Sequence, residues 1–429
     1  MAEHKMRDNT GEWFGSIPVD WTILALKYAF SIKKDIARKL GYTVLSVTQK
    51  GIKPKDMLEK GQFAMDYSKY QVVNRGEFIM NHMDLLTGWV DIAQESGVTS
   101  PDYRVFYNTD PTRFFSEYYK YIFQFCYSNR VFYGMGQGVA GFGRWRLPSD
   151  MFLRFLLPVP QIDEQKAIAT YLDEQCTLID EAIAEAKVSI EEYKAWKTSL
   201  IFDAVTKGID KEVGLQDSGS AWLGKVSCQT KISRVARHFQ IILGKMLCST
   251  PNDESYSLEP YYCAANVHFD GISRQALKSM WYSASEKNSY AVKTGDLLVV
   301  EGGAGAGGCA IVKEDESGVY IQNSIMIARH QIMIYNRYLR YLLEALVKRG
   351  YVDFVCNKAT IPHFTKEKLG DVPFPVFPEK ETQNIVEYLD TLVPQIDNLL
   401  SEKQLLIASL ETYKRSLIYE VVTGKRKVE

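Results

Sequence analysis

The sequence predicts an α+β protein made by duplication: two sheet-rich domains joined by two long helices forming an antiparallel coiled coil with pseudo-two-fold symmetry. Three observations carry that expectation. The phrase Tyr171-Leu172-Asp173 returns 217 positions later as Tyr388-Leu389-Asp390. Each phrase opens a helical block whose apolar positions alternate by four and three, the seam of a coiled coil. Each block follows a longer, diverged stretch of short apolar runs and glycine-rich turns.

Length and composition set the frame. A chain of 429 residues exceeds one ordinary hydrophobic core, and 46% apolar with 24% charged residues is globular. Lys and Arg total 51 against 52 for Asp and Glu, a formal charge of -1, so any basic surface must be local. Seven scattered Cys without CxxC or Cys/His spacing read as reduced thiols, mostly packed inside. The polar N-terminus and the lack of any apolar run near the ~18 to 20 residues of a membrane span predict a soluble, cytoplasmic protein.

At an offset of 217, residues 168–206 align with 385–423 without a gap, with about 14 of roughly 39 positions identical where chance gives about 2 or 3. Weaker echoes lie outside: GEWFGSIP near Trp13 against SAWLGKVS near Trp222, and NRGEFIM at Asn74 against KTGDLLVV at Lys293. The expected domains are 1–157, a helical region 158–212, a second diverged domain 213–374 and a helical region 375–429.

In the diverged domains, strands are expected at 43–48, 77–80, 296–300, 310–312 and 324–328, with helices at 112–128 and 337–348. The first seam runs Ile179, Ile183, Ala186, Ile190, Tyr193, Lys197, Leu200, Ala204; the second runs Ile396, Leu400, Lys403, Ile407, Leu410, Lys414, Leu417, Val421. Lys197 and Lys414 occupy matched seam positions, where they could fix register, snorkel or face a partner. Pro394, matched by Thr177, predicts a break: a short helix ending near YLD, then a long one of about 30 residues and ~45 Å. Gly208 and Gly424 suit the helix stops, and LLPVPQ at Leu156 and VPFPVFP at Val372 read as proline-rich turns.

Chemical motifs are sparse. EGGAGAGG at Glu301 sits between LLVV and CAIV with no following lysine, so it reads as a hairpin loop rather than a phosphate cradle. GMGQGVAGFG at Gly134 lacks the strand-turn-helix setting of a dinucleotide site, and the Pro-Pro-aromatic loop associated with adenine methylation is missing. Forcing Pro101-Asp102 and Glu185-Ala-Lys187 into a nuclease pattern fails because Glu185 lies on the coiled-coil segment. No catalytic or metal-binding residue is assigned. The aromatic run YYKYIFQFCY at Tyr118 fits a helix packed on a sheet better than a base-stacking platform. The candidates for contacting nucleic acid are Gln137, Arg144 and Arg146 around GFGRWR, and Lys358, Thr360 and His363 around NKATIPHF, loops that align just before each helical block. Gln and Arg can read base edges bidentately and Lys can neutralise phosphate; an ordinary polar loop is the competing reading.

The two helical blocks, PVPQIDEQKAIATYLDEQCTLIDEAIAEAKVSIEEYKAWKTSLIFDAVTKGI and PEKETQNIVEYLDTLVPQIDNLLSEKQLLIASLETYKRSLIYEVVTGK, resemble the conserved regions of specificity subunits of type I restriction-modification enzymes. GEWFGSIP and DSGSAWLGKV resemble the openings of that family's two target recognition domains. The resemblance implies a non-catalytic reader of double-stranded DNA, each domain taking one half of an asymmetric split target. It implies two modification subunits, which would bind S-adenosylmethionine and methylate adenine, and two motor-nuclease subunits. A modification-only complex, a coiled-coil scaffold without a DNA role and an enzyme in its own right remain as alternatives.

Overall fold

The computed structural model describes residues 4–8, 13–55, 67–138, 145–314, 317–356 and 362–428. It forms two compact units, one of residues 1–187 with 404–429 and the other of 188–403. The division falls inside both long helices, so each unit owns a stretch of each.

In the first unit, β1 (Phe30–Lys33), β2 (Phe78–Met80), β3 (Val90–Ile92) and β4 (Arg104–Asn108) form an antiparallel sheet in the order β1-β4-β2-β3. Helix α1 (Ser116–Ser128) follows, burying Tyr118, Tyr119, Ile122, Phe123 and Cys126. Its aromatic run packs on the sheet: Phe123 meets Phe78 and Phe106 edge-on at 5.5 Å, and those two rings stack at 4.8 Å. The second unit repeats the pattern. There β5 (Gln240–Leu243), β6 (Leu297–Val300), β7 (Cys309–Ile311) and β8 (Ile325–Arg329) take the order β5-β8-β6-β7, and α3 (Met333–Lys348) packs on them. Residues Glu301 to Gly308 join β6 to its antiparallel neighbour β7, the hairpin loop expected.

The weak echoes turn out to be equivalent turns. Gly76 and Gly295 both adopt left-handed backbone, with φ of 89° and 86°. The acidic residue that follows each accepts a backbone N–H, from Asn74 to Glu77 and from Lys293 to Asp296, both at 2.8 Å. Each also pairs with a strand cation, Lys33 at 2.9 Å and Arg329 at 2.6 Å.

Helices α2 (Ile162–Lys207, 46 residues) and α4 (Glu379–Val422, 44 residues) run uninterrupted through YLD, correcting the expected break. Pro394 lies inside α4, where it withholds an amide from the carbonyl four residues back, that of Asp390. The lengths are ~69 Å and ~66 Å at 1.5 Å per residue, well beyond the ~45 Å expected. The left-handed Gly208 and Gly424 do follow their ends. The proline-rich segments are strands rather than turns: Leu156–Val159 pairs with Thr22–Ala25, and Pro373–Val376 with Lys231–Arg234. Two-stranded ribbons leave an outer edge free, and there proline's missing N–H removes nothing from the ladder.

YLD marks an attachment point. Leu172 and Leu389 are fully buried. Asp173 accepts the Tyr121 hydroxyl at 2.5 Å and Asp390 the Tyr341 hydroxyl at 2.7 Å. One turn earlier, Tyr118 donates to the Val422 carbonyl at 2.9 Å and Tyr338 to that of Val205 at 2.5 Å. Helices α1 and α3 therefore each grip one long helix near its beginning and the other near its end.

Within each unit the long helices run antiparallel. In the first, Arg426 beyond the end of α4 reaches the Tyr171 ring and Lys414 meets Asp180; in the second, Lys403 meets the Tyr193 ring and Lys197 meets Asp397. Of the seam residues, Ile179, Ile183, Ile190, Ile396 and Leu417 are buried, while Leu200, Leu400 and Ile407 are half-buried. The seam lysines are register devices. Lys414 donates to both Asp180 oxygens at 2.7 and 2.6 Å, and Lys197 to both Asp397 oxygens at 2.6 and 2.7 Å. Lys197 also lies 3.9 Å from Glu344, whose side chain is 1% exposed. Replacing Lys197 by Met should cost about 2 kcal/mol, because a buried carboxylate loses a countercharge. Lys414→Met, breaking a pair whose Asp180 is 60% exposed, should cost under about 1 kcal/mol. Urea unfolding of both variants checks this, and equal losses would contradict the role given to burial.

Candidate nucleic-acid interface

Gln137 and Arg146 pair as a two-residue antiparallel bridge, Gln137 N–H to the Arg146 carbonyl at 2.8 Å and the reverse at 3.0 Å. They clamp the base of a loop whose residues 139–144, Arg144 among them, lie outside the described set. The loop base is seated on the sheet: Leu147 N–H donates to the His82 carbonyl at 3.0 Å, and the Arg104 guanidinium donates to the Leu147 carbonyl at 2.7 Å. Trp145 donates through Nε1 to the Tyr133 carbonyl at 2.7 Å. Gly136 faces that indole so closely that a Cβ would collide with it. Gln137 and Arg146 are both exposed.

The matched loop in the second unit has the same seat. His363, at the position of Arg146, bridges to Gly302, and Phe364, at the position of Leu147, donates its N–H to the Glu301 carbonyl at 2.6 Å. Its residues 357–361, Lys358 and Thr360 among them, are outside the described set. The sequence alignment thus places equivalent loops at the same end of equivalent sheets. Of the six candidates, the structure brings Gln137 and Arg146 together and puts His363 at the matched station.

Electrostatics separates the two. In the first unit the loop base is cationic. Burial pushes the Arg104 guanidinium down to about 10, which leaves it charged. Burial, with Arg104 and Arg146 adding to it, lowers His82 to about 4, and its Nδ1 is buried with no hydrogen-bond partner. In the second unit the corresponding groups have partners. His363 Nδ1 lies 3.3 Å from the Glu301 carboxylate, and Lys368 donates to the His363 carbonyl at 2.6 Å.

Sequence reasoning missed a basic run. Lys34, Arg38 and Lys39 are exposed and follow β1 at the sheet end that carries Met80 and Arg104. The signal was present in SIKKDIARKL, four cations within seven residues of a chain otherwise near neutral. In the second unit the residue after that strand's glycine, Lys245, is turned inward to Glu286 at 2.6 Å and to the Trp281 carbonyl at 2.8 Å.

Four of the seven cysteines, Cys126, Cys176, Cys309 and Cys356, are buried, and Cys228 is exposed. Among the described residues no helix is long and apolar enough to cross a membrane.

His82 makes the first unit acid-sensitive. Its folded value lies below the 6.5 of the free side chain, so the native state binds fewer protons than the unfolded state between those limits. Its contribution is full above pH 6.5 and is lost as pH falls towards about 4. A His82→Gln variant should lose less stability than the parent chain between pH 7 and 5 in urea titrations, and parallel losses would remove His82 as the cause.

Residues 261–407 match the family model of the type I restriction modification DNA specificity domain. Comparison with curated proteins by sequence gave no match. Among solved structures, one chain from a study of complex assembly and conformational transition of the type I restriction-modification system superposes with a TM-score of 0.72 at 13% identity, covering 96% of this chain and 99% of that one. The HsdS subunit of Thermoanaerobacter tengcongensis superposes with a TM-score of 0.57 at 15% identity, covering 96% and 98%. At these identities the likeness is one of fold.

Proposed function

We propose how this chain, a type I restriction-modification specificity subunit by its matched DNA specificity domain and by its fold, does its work. Each unit presents the loop end of its sheet to double-stranded DNA and reads one half of an asymmetric, two-part target. The observation that carries this reading is the pair of matched loop bases, with Leu147 bonded to His82 and Phe364 to Glu301 at the same station of two equivalent sheets, beside side chains that differ. A kept seat with diverged residues is what two readers of different sequences require. Gln137, Arg144 and Arg146 on one side, and Lys358, Thr360 and His363 on the other, are the proposed base- and phosphate-contacting residues. Lys34, Arg38 and Lys39 add phosphate contacts to the first.

The chain is proposed to carry out no catalytic step. Adenine methylation would fall to two modification subunits that hold S-adenosylmethionine, and cleavage to two motor-nuclease subunits, all in the cytoplasm. The chemistry of the loop residues supports the division: they supply donors and cations suited to binding. Two recognition modules on long shared helices favour this over a bare scaffold, which needs no such diverged loops. A complex lacking the nuclease subunits would use the same residues of this chain.

Arg146→Ala should weaken binding of the assembled complex and relax selectivity at one position of one half-site, by about 1 to 3 kcal/mol. Lys39→Ala should instead weaken binding uniformly across sequences and lower the salt slope by about one unit. Methylation mapping of the Arg146 variant tests the assignment, and changes in both half-sites would defeat the division of labour.

The helices are proposed to set the number of unspecified base pairs between half-sites. Inserting one turn, four residues, into both α2 and α4 should lengthen that spacer and keep both half-sites. An unchanged spacer in methylated DNA would rule out the helices as its determinant.

A further inference from the structure

The duplication supplies an internal control, because each position in one unit can be compared with its match in the other. The comparison isolates a cleft of about 850 Å³ in the first unit. Its walls are α1 with the turn to Arg130, the segment carrying Leu86 and Trp89, and the stretches of α2 and α4 belonging to that unit. Trp89, Phe125, Ile183 and Ile418 give it an apolar floor.

At the equivalent place the second unit holds a carboxylate of its own. Glu344 on α3 is buried, with Lys197 at 3.9 Å, Arg340 at 3.1 Å and Lys348 at 3.0 Å. The matching residue on α1 is Gln124, which lines the cleft and donates to the Val90 carbonyl at 3.2 Å. The first unit lacks that acid: Lys120 and Lys414, which match Arg340 and Lys197, pair with Glu117, Asp173 and Asp180 instead, and Ser128 stands in place of Lys348.

It has also gained cations. Arg130, Lys187 and Arg415 line the cleft, where the positions matched to them by the duplication hold Gly350, Gln404 and Thr198 respectively. Arg130 and Gly350 hold the same left-handed turn after their helices, with φ of 57° and 85°. Glycine adopts that conformation freely and arginine does not, so its side chain has to justify the strain. Among the described residues none of the three cations forms an ion pair, and Arg415 donates to the Thr412 hydroxyl at 3.2 Å. Four carboxylates face the same space. Asp180 is taken by Lys414, Asp173 is shared by Lys120 and Tyr121, Asp91 is raised by burial towards its neutral form, and Glu411 stands free of any ion pair. The unsatisfied balance is positive.

We propose that this cleft receives an acidic, partly apolar segment of a partner protein, whose carboxylates engage Arg130, Lys187 and Arg415. Duplex DNA does not suit it: four carboxylates and the apolar Trp89, Phe125, Ile183 and Ile418 share the lining, and these offer phosphates nothing. The inference rests on the reading that modification subunits bind this chain, and it adds that the two units do not hold them equally. The first unit uses a charge-assisted, salt-sensitive anchor that the second, without cations at the matched positions, does not offer.

The test uses the full chain with the methyltransferase subunit of its own complex, followed by native mass spectrometry at two salt concentrations. Combining Arg130→Gly, Lys187→Gln and Arg415→Thr replaces each cation by the residue at its matched position in the duplicate. The triple variant should load one of its two partner copies at least about tenfold more weakly and lose most of the salt dependence of that step, with the methylated sequence unchanged. Gln124→Glu, which adds a negative charge to the lining of the cleft, should weaken the same step and guards against misfolding of the triple variant. Unchanged loading and salt dependence in both variants would overturn the proposal. So would loss of affinity for DNA oligonucleotides by the triple variant with partner loading intact. If the parent chain bound no methyltransferase subunit at all, it is the proposed function that would fail, at an earlier step.

Discussion

The fold depends on four tyrosine hydroxyls. Each sheet is held against the long helices by two tyrosines one turn apart. Tyr118 and Tyr121 on α1 reach Val422 and Asp173; Tyr338 and Tyr341 on α3 reach Val205 and Asp390. Burial raises all four phenols, keeping them neutral donors at any physiological pH. A buried hydroxyl without an acceptor costs far more than a made hydrogen bond gains, so each ring accepts only one seat. The aspartate of YLD recurs because it is one of those seats.

The reciprocal lysine-aspartate pairs do for the helices what the tyrosines do for the sheets. An apolar seam of period 3.5 tolerates sliding by a heptad, whereas a lysine that must meet one particular aspartate does not. Duplication makes the device reciprocal: Asp180 and Lys197 of one copy match Asp397 and Lys414 of the other, and each lysine finds the opposite copy's aspartate. The half-buried Leu200, Leu400 and Ile407 show why polar specification is needed where the apolar contact is shallow.

Much of the architecture was legible from local pattern: the seams and the echo around Gly76 and Gly295 are seen twice, while the glycine hairpin at Glu301 and the aromatic helix at Tyr118 each follow from a single stretch. The helix break at YLD was misread because proline's local penalty was weighed without tertiary contacts. Packing on both sides of Pro394 holds α4 together, with Val393 and Ile396 buried. The proline-rich strands were misread for a related reason, since an edge ribbon becomes visible only once its partner strand is known. At the site, the alignment of Arg146 with His363 carried real structural content, for the residues that follow them, Leu147 and Phe364, donate to matched carbonyls, those of His82 and Glu301. The basic run Lys34, Arg38 and Lys39 was overlooked because its place beside the loop is fixed by pairing of β1 with β4, some seventy residues away in sequence.

The two copies differ in a consistent direction. What they share is made of groups whose partners lie within the chain: tyrosine to aspartate, lysine to aspartate, backbone N–H to carbonyl at the loop seats. What they vary are groups that point outward. The first unit keeps its exposed cations uncompensated at the loop base, whereas the second answers His363 with Glu301 and turns Lys245 inward. With both loops facing DNA, the first unit would supply most of the sequence-independent attraction to phosphate, and the second would depend more on close contacts made after encounter. A two-part reader gains from that imbalance: one half can hold the duplex loosely at many sites while the other rejects nearly all of them.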